Sequence, residues 1–281
     1  VARLKSWPFA DVETTYTDRD TMLYALCVGA GRDPLDPVGL RFTYESPLQA
    51  LPTMAVVLGY PGSWMNDPAS GIDYRRVVHG ENALTIHHPL PPAGTVVGRT
   101  RVTRIVDKGA GKGAVVTAER TITDKASGMR LATTEHVTFC RADGGFGGPD
   151  GPVKAPHPVP ESAPHHVCDL PVLPQAALIY RLSGDYNPLH ADPASAKKAG
   201  FKAPILHGRC TFSIAGHAIL KTLCDYDPAR FIAMEGRFSS PVYPGETIRT
   251  EIWRDGNAVT FRSTVPARGV TVLNNGRAEI R

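Results

Sequence analysis

The chain of 281 residues lacks any apolar run near the roughly 20 residues that a membrane-spanning helix needs, which excludes an integral helical membrane protein. Charge of one sign is also lacking. Lys and Arg number 31 against 27 Asp and Glu, a net +4 without clustering. That argues against nucleic acid as a partner and leaves scattered basic residues to meet a phosphorylated ligand. Cysteine is sparse, at positions 27, 140, 168, 210 and 224, with no CxxC pair. An odd set of this kind fits reduced thiols better than a disulfide framework. The opening Val-Ala-Arg-Leu-Lys-Ser-Trp has no apolar signal core, and the closing Ala-Glu-Ile-Arg is not a Ser-Lys-Leu type of peroxisomal address. A cytoplasmic protein is expected on these grounds. Gly-x-Ser-x-Gly and Gly-x-Gly-x-x-Gly motifs are missing. Gly109-Ala-Gly-Lys-Gly113 lacks the Gly-Lys-Ser/Thr ending of a phosphate loop and lies between two strand-like runs, so it reads as a hairpin turn. His87-His88 and His165-His166 have no carboxylate or thiol companion at ligand spacing, and no metal is expected.

Hydrophobic residues make up 42% of the chain, enough for two cores at this length. Thr17 or Asp18 caps a short helix that ends at Gly29 and Gly31. Residues 40–45 read as a strand, and residues 47–58, apolar nearly all round, as a helix buried on most sides. Period-two, Val/Thr-rich runs at 82–87, 95–106, 114–123 and 131–139 read as long antiparallel strands. A Gly/Pro-rich stretch then marks a boundary, which gives an N-terminal domain at 1–148, a linker at 149–165 and a C-terminal domain at 166–281. The second half repeats the first: a strand at 166–170, a short helix near 175–182, an apolar helix at 211–220, then strands at 233–238, 246–253, 258–265 and 270–273. Overlaid, Tyr24-Ala-Leu matches Tyr180-Arg-Leu, and Asp33-Pro-Leu-Asp36 matches Asn187-Pro-Leu-His190. The expected class is α+β, one buried helix followed by a curved antiparallel sheet, twice over.

The chemistry gathers at residues 180–190, where Asp185, Asn187 and His190 fall within six positions. Pro188 removes a backbone donor and holds Asn187 extended, so the segment should be a tight turn with polar side chains to one side. A carboxylate and an imidazole facing one point can hold a water, take its proton and deliver a proton elsewhere. The same residues also make a serviceable structural turn. Gly208, eighteen positions after His190, would open the apolar helix, where unpaired N–H groups can polarise a carbonyl oxygen that glycine lets approach closely. His207 and His217 read as helix residues satisfied by local hydrogen bonds. The first copy has Asp36 where the second has His190 and nothing that matches Asp185, so its remaining job is shape, in a tunnel leading to the site.

Residues 180–190 resemble the signature of the MaoC-like, R-specific "hydratase 2" enoyl-CoA hydratases. The likeness extends over Val78-His79-Gly80-Glu81-Asn82, Asp107-Lys108-Gly109, Leu206-His-Gly-Arg-Cys-Thr-Phe212 and Arg237-Phe-Ser-Ser-Pro-Val-Tyr-Pro-Gly245. It implies a double hot-dog fold, two curved antiparallel sheets each wrapping a long helix. It also implies hydration of trans-2-enoyl-CoA to (3R)-3-hydroxyacyl-CoA without a cofactor, coenzyme A being part of the substrate, and a homodimer. By the same resemblance Asp185 and His190 activate water, Asn187 supports them, and the Gly208 N–H holds the thioester. Substrate contacts fall on His79, Gly80, Lys108, Tyr186, Pro188, Leu189 and Phe238. Lys108 reads equally as a solvated turn lysine, and Phe238 first as a core strand aromatic. Two other functions remain open from the sequence: a hot-dog acyl-CoA thioesterase, and a non-catalytic acyl-CoA binding protein.

Overall fold

The computed structural model describes residues 1–148 and 154–281. The Val/Thr-rich runs form strands because β-branched side chains suit a half-buried pleat. In the first half these are β1 (Val12–Tyr16), β2 (Val77–Ile86), β3 (Gly94–Asp107), β4 (Ala114–Asp124) and β5 (Arg130–Cys140). The second half contributes β6 (His166–Pro171), β7 (Phe231–Phe238), β8 (Thr247–Asp255), β9 (Ala258–Val265) and β10 (Val270–Ile280). They join in one ten-stranded sheet of order β1-β3-β4-β5-β2-β7-β10-β9-β8-β6. Read inward from either edge the order is the same, with β6, β8, β9, β10 and β7 repeating β1, β3, β4, β5 and β2. The halves meet antiparallel at β2 and β7, where Ala83 lies opposite Glu235 and Arg237 Nε stands 2.9 Å from Glu81.

The helices are α1 (Ala2–Lys5), α2 (Asp18–Cys27), α3 (Ala176–Tyr180), α4 (Pro193–Lys198) and α5 (Gly208–Leu223). The start of α2 is the expected one: the Thr17 N–H and hydroxyl both donate to Asp20 Oδ2 at 2.8 Å. Such a cap typically stabilises a helix by about 1 kcal/mol. Helix α5 is buried without interruption from Arg209 to Leu220, as the all-round apolar pattern required. Each fully buried Ile or Leu there contributes about 1.5–3 kcal/mol relative to exposure. The internal repeat is visible in packing: the Tyr24 and Tyr180 rings lie 6.0 Å apart, and the Cys27 thiol donates to the Ala176 carbonyl of α3. The two Pro-Leu loops also share one hydrogen bond. Asp33 Oδ1 accepts from Leu35 N–H at 2.9 Å, and Asn187 Oδ1 from Leu189 N–H at 3.0 Å.

The α+β double hot-dog architecture is present, with three differences from the expected elements. Residues 47–58 do not form a long helix; only a 3₁₀ turn, Pro52–Val56, stands where α5 stands in the second half. Pro47 and Pro52 withhold donors. Gly59, at φ +60°, bends the chain so close to β3 that a Cβ there would lie 2.6 Å from the Gly98 Cα. The run is apolar because it is enclosed, and enclosure carries no helical requirement. Residues 40–45 are likewise no strand but overlap the 3₁₀ turn Gly39–Phe42. Finally, the two sheets are halves of one. Of the linker at 149–165, residues 149–153 lie outside the described residues. The rest is tied to the second half: Asn275 Nδ2 donates to the His157 carbonyl at 2.8 Å, and Trp253 Nε1 to the Ser162 carbonyl at 2.9 Å.

Candidate active site

Helix α3 runs into a 3₁₀ turn, Arg181–Ser183, which Gly184 ends at φ +107°, a left-handed conformation that glycine adopts without strain. The chain then folds on its own side chains. Asp185 Oδ1 accepts from Asn187 N–H at 3.3 Å, and Asn187 caps a second 3₁₀ turn, Pro188–His190, through its bond to Leu189 N–H. Exposure alternates along the loop: Asp185, Asn187 and Leu189 are partly buried, Tyr186 and Pro188 exposed, and His190 buried. The polar side chains thus do project to one side, as the placement of Pro188 required.

His190 Nδ1 lies 2.8 Å from the Ile205 carbonyl oxygen. A carbonyl only accepts, so Nδ1 carries the hydrogen and Nε2 is left with a free lone pair. His207, at the N-cap of α5, is fixed in the opposite tautomer, because its Nε2 donates to the Asp185 backbone carbonyl at 3.1 Å. The two imidazoles stack with centroids 3.7 Å apart and 26° between planes. Asp185, His190 and His207 offer polar atoms within 4.8 Å of one another. That spacing is within reach of a metal ion. The same spacing lets a carboxylate and two neutral imidazoles share one water.

Burial lowers the His190 pKa, opposed by the Ile205 carbonyl and the Asp185 carboxylate. Burial, reinforced by His190, lowers that of His207 to about 4. Both rings are therefore neutral at pH 7. Gly208 follows directly, at the first position of α5, where N–H groups have no partner within the helix. A Cβ on Gly208 would sit 3.4 Å from both His79 Nδ1 and Phe238 Cε1.

The structure therefore brings Asp185 and His190 together with His207, and Gly208 follows His207 with His79 and Phe238 against the glycine, while Asn187 caps the loop that carries His190. The His79 and Phe238 rings are 4.4 Å apart. Gly80 forms the bulge in β2 between His79 and Glu81. Lys108 lies on the β3–β4 hairpin, its Nζ 5.8 Å from the Phe139 ring, which is opposite Val78, the neighbour of His79. Tyr186 lies on the surface under the Arg181 guanidinium, 4.9 Å from its ring. The sequence assigns His207 only local hydrogen bonds and gives no separate role to Tyr60, Arg120, His136 or Arg209, although Arg209 lies within the Leu206–Phe212 stretch. The Arg209 guanidinium carbon is 4.0 Å from the Tyr60 ring centroid, and its Nη2 is 3.4 Å from His136 Nδ1. The available signals were an arginine within an apolar helix and an arginine in the inward register of a strand.

A buried helix N-terminus facing a carboxylate and an imidazole, inside a repeated hot-dog sheet, defines a thioester-type acid–base site. The chain belongs to the MaoC-like hydratase 2 family. Residues 156–275 match the MaoC like domain, and residues 14–142 the MFE-2 hydratase 2 N-terminal domain. It is 39% identical over 270 residues to the enoyl-CoA hydratase ChsH3 of Mycobacterium tuberculosis, covering 94% of this chain and 93% of that protein. It is 37% identical over 283 residues to the peroxisomal enoyl-CoA hydratase 2 of Arabidopsis thaliana, covering 95% and 91%. Among solved structures, the MaoC-like dehydratase from Phytophthora capsici superposes with a TM-score of 0.88 at 34% identity, covering 100% of this chain and 98% of that one.

The same matches correct the cytoplasmic expectation. The Arabidopsis relative is peroxisomal by name, and so are the multifunctional enzymes type 2 of mouse and Drosophila melanogaster, of which the chain spans 37% and 46%. These names run against the cytoplasmic expectation, which is withdrawn. Composition and cysteine pattern separate reducing from oxidising compartments, and a peroxisome and a cytosol look alike by that measure.

Proposed function

We propose that the protein is a hydro-lyase that adds water reversibly across trans-2-enoyl-CoA to give (3R)-3-hydroxyacyl-CoA. The observation that carries this reading is the juxtaposition of three groups: a carboxylate at Asp185, a free imidazole lone pair at His190 Nε2, and an unpaired helix-start N–H at Gly208. The Gly208 N–H holds the thioester oxygen and stabilises the enolate charge that grows there. A water between Asp185 and His190 loses a proton to Nε2 as its oxygen bonds to C3. The carboxylate steadies the imidazolium, which then returns the proton to C2 on the same face. One water supplies both the hydroxyl and the hydrogen, so the addition is syn and the enzyme ends as it began. Such acid–base help is worth on the order of 10²–10⁴ in rate.

In this reading His79 and Phe238 flank the thioester, Gly80 and Leu189 line the approach, and Lys108 meets the coenzyme A portion with Tyr186 and Pro188 at the mouth. The N-terminal domain shapes the acyl site, the C-terminal domain carries the chemistry, and the active species is a homodimer, which sedimentation of the purified protein checks. The reaction is tested by turnover on a panel of trans-2-enoyl-CoA esters with chiral analysis of the product. Loss of the enoyl absorbance with (3R) product is expected. Free thiol release without hydration would instead favour a thioesterase, and an (S) product would overturn the assignment.

A further inference from the structure

The inner face of the first half-sheet, beside Gly208, is polar where a hydrocarbon chain would require apolar walls. Arg120 on β4, His136 on β5 and Asn82 on β2 all lie on the same, inward face; Arg120 and Asn82 are buried and His136 is half-buried. Arg209 of α5 and Tyr60 close over them. The Tyr60 ring lies 4.0 Å from the Arg209 guanidinium carbon and 5.7 Å from that of Arg120. Arg120 Nη2 donates to the Val56 carbonyl at 2.8 Å, but its Nε has no partner among the described residues. The Asn82 amide nitrogen and the Tyr180 hydroxyl, both buried, lack partners too.

Two guanidinium groups are thus buried together, and the groups that act on Arg120 are Arg209, Tyr60 and Tyr180, none a carboxylate. Burial with that like charge pushes the Arg120 pKa down to about 9, so the pair pays for its proximity. The acids next in sequence to Arg120 and Asn82 are engaged elsewhere: Glu119 with Arg101 at 2.7 Å and Glu81 with Arg237 at 2.9 Å. Buried charges are normally paired, and buried donors normally have acceptors. A surplus of donors and positive charge with no counter-charge among the described residues is a place built for an anion. The cluster also adjoins the reacting centre. Arg209 follows Gly208 in sequence, and the His79 ring that touches the Gly208 position lies 3.8 Å from the His136 ring.

We propose that Arg120 and Arg209, with Tyr60, His136 and Asn82, form a buried anion site that receives a carboxylate on the acyl part of the substrate. The preferred substrate is then a trans-2-enoyl-CoA whose acyl chain ends in a second carboxyl group, the monothioester of an unsaturated dicarboxylic acid. This rests on the hydratase reading and names its substrate class. The phosphates of coenzyme A belong at the mouth of the site and do not compete for this interior position.

The test compares initial rates on matched pairs of trans-2-enoyl-CoA esters of equal chain length, one ending in a methyl group and one in a carboxylate. At the best-fitting length, kcat/KM should favour the carboxylate by about tenfold or more, the effect of one charge-assisted hydrogen bond. In Arg120→Met and in Arg209→Leu that preference should vanish or reverse, and Arg209→Lys should keep part of it. The ratio is internal to each variant, so partial misfolding cancels. If the wild type hydrates methyl-ended esters as well as carboxylate-ended ones at every length, the anion site is wrong and the hydratase stands. An unchanged preference in both arginine variants also refutes it. If no ester is hydrated, the hydratase reading itself fails and the inference falls with it.

Discussion

Lowering the pH from 7.5 to 5.0 should destabilise this fold through its buried histidines. His217 lies in the middle of α5, 2% exposed, with Nδ1 donating to the Val28 carbonyl at 2.9 Å and Nε2 facing the Tyr226 hydroxyl at 3.4 Å. Burial lowers its pKa to about 4, against roughly 6.5 in the unfolded chain. Between those values the unfolded state binds the proton and the folded state refuses it, so stability is complete above pH 6.5 and declines as pH falls toward 4. At pH 5.0 the loss from this one group is about 2 kcal/mol by linkage. His79, His136, His190 and His207 are shifted in the same direction, each chiefly by burial, and add to it. The urea midpoint at pH 5.0 should therefore fall by at least about 0.5 M relative to pH 7.5. In His217→Gln, which keeps a donor for Val28, the drop should shrink. Asp169, Asp192 and Glu246 have lowered pKa values and stay ionised in this window, so they do not confound it. Equal midpoints at the two pH values would refute the account of neutral buried imidazoles.

Other outcomes follow from the site. Gly208→Ala places a methyl group at ordinary contact distance, 3.4 Å, from His79 and Phe238, so the protein should fold. The thioester oxygen would then be held away from the N–H, and kcat/KM should drop on the order of 10²-fold in steady-state assays. His207→Leu removes the donor to the Asp185 carbonyl and the ring stacked on His190. It should lower kcat with KM little changed and cost about 1–3 kcal/mol in urea unfolding, which a merely surface histidine would not.

Strands were legible because alternation of Val and Thr with polar residues has one structural meaning in a half-buried sheet. The repeat was legible because Asp33 and Asn187 each need the same side-chain turn before Leu. Residues 47–58 misled because burial on all sides looks the same whether the backbone coils as a helix or winds through a short 3₁₀ turn. The motif at 185–190 advertised itself through Pro188 and three polar groups, and Gly208 through its place at a helix start. The arginines at 120 and 209 did not, since a lone charge in an apolar pattern ordinarily reads as an outward, solvated residue. Only the register of β4 and the packing of Tyr60 reveal that they face inward.

The central claim is that Asp185 and His190 act together on one water. Asp185→Asn keeps the shape of the side chain and an Oδ1 to accept from Asn187 N–H, so the loop should persist. Hydration of a trans-2-enoyl-CoA by this variant, measured alongside circular dichroism to confirm folding, should fall on the order of 10²–10⁴-fold in kcat. A folded Asp185→Asn protein with near wild-type kcat would contradict the account.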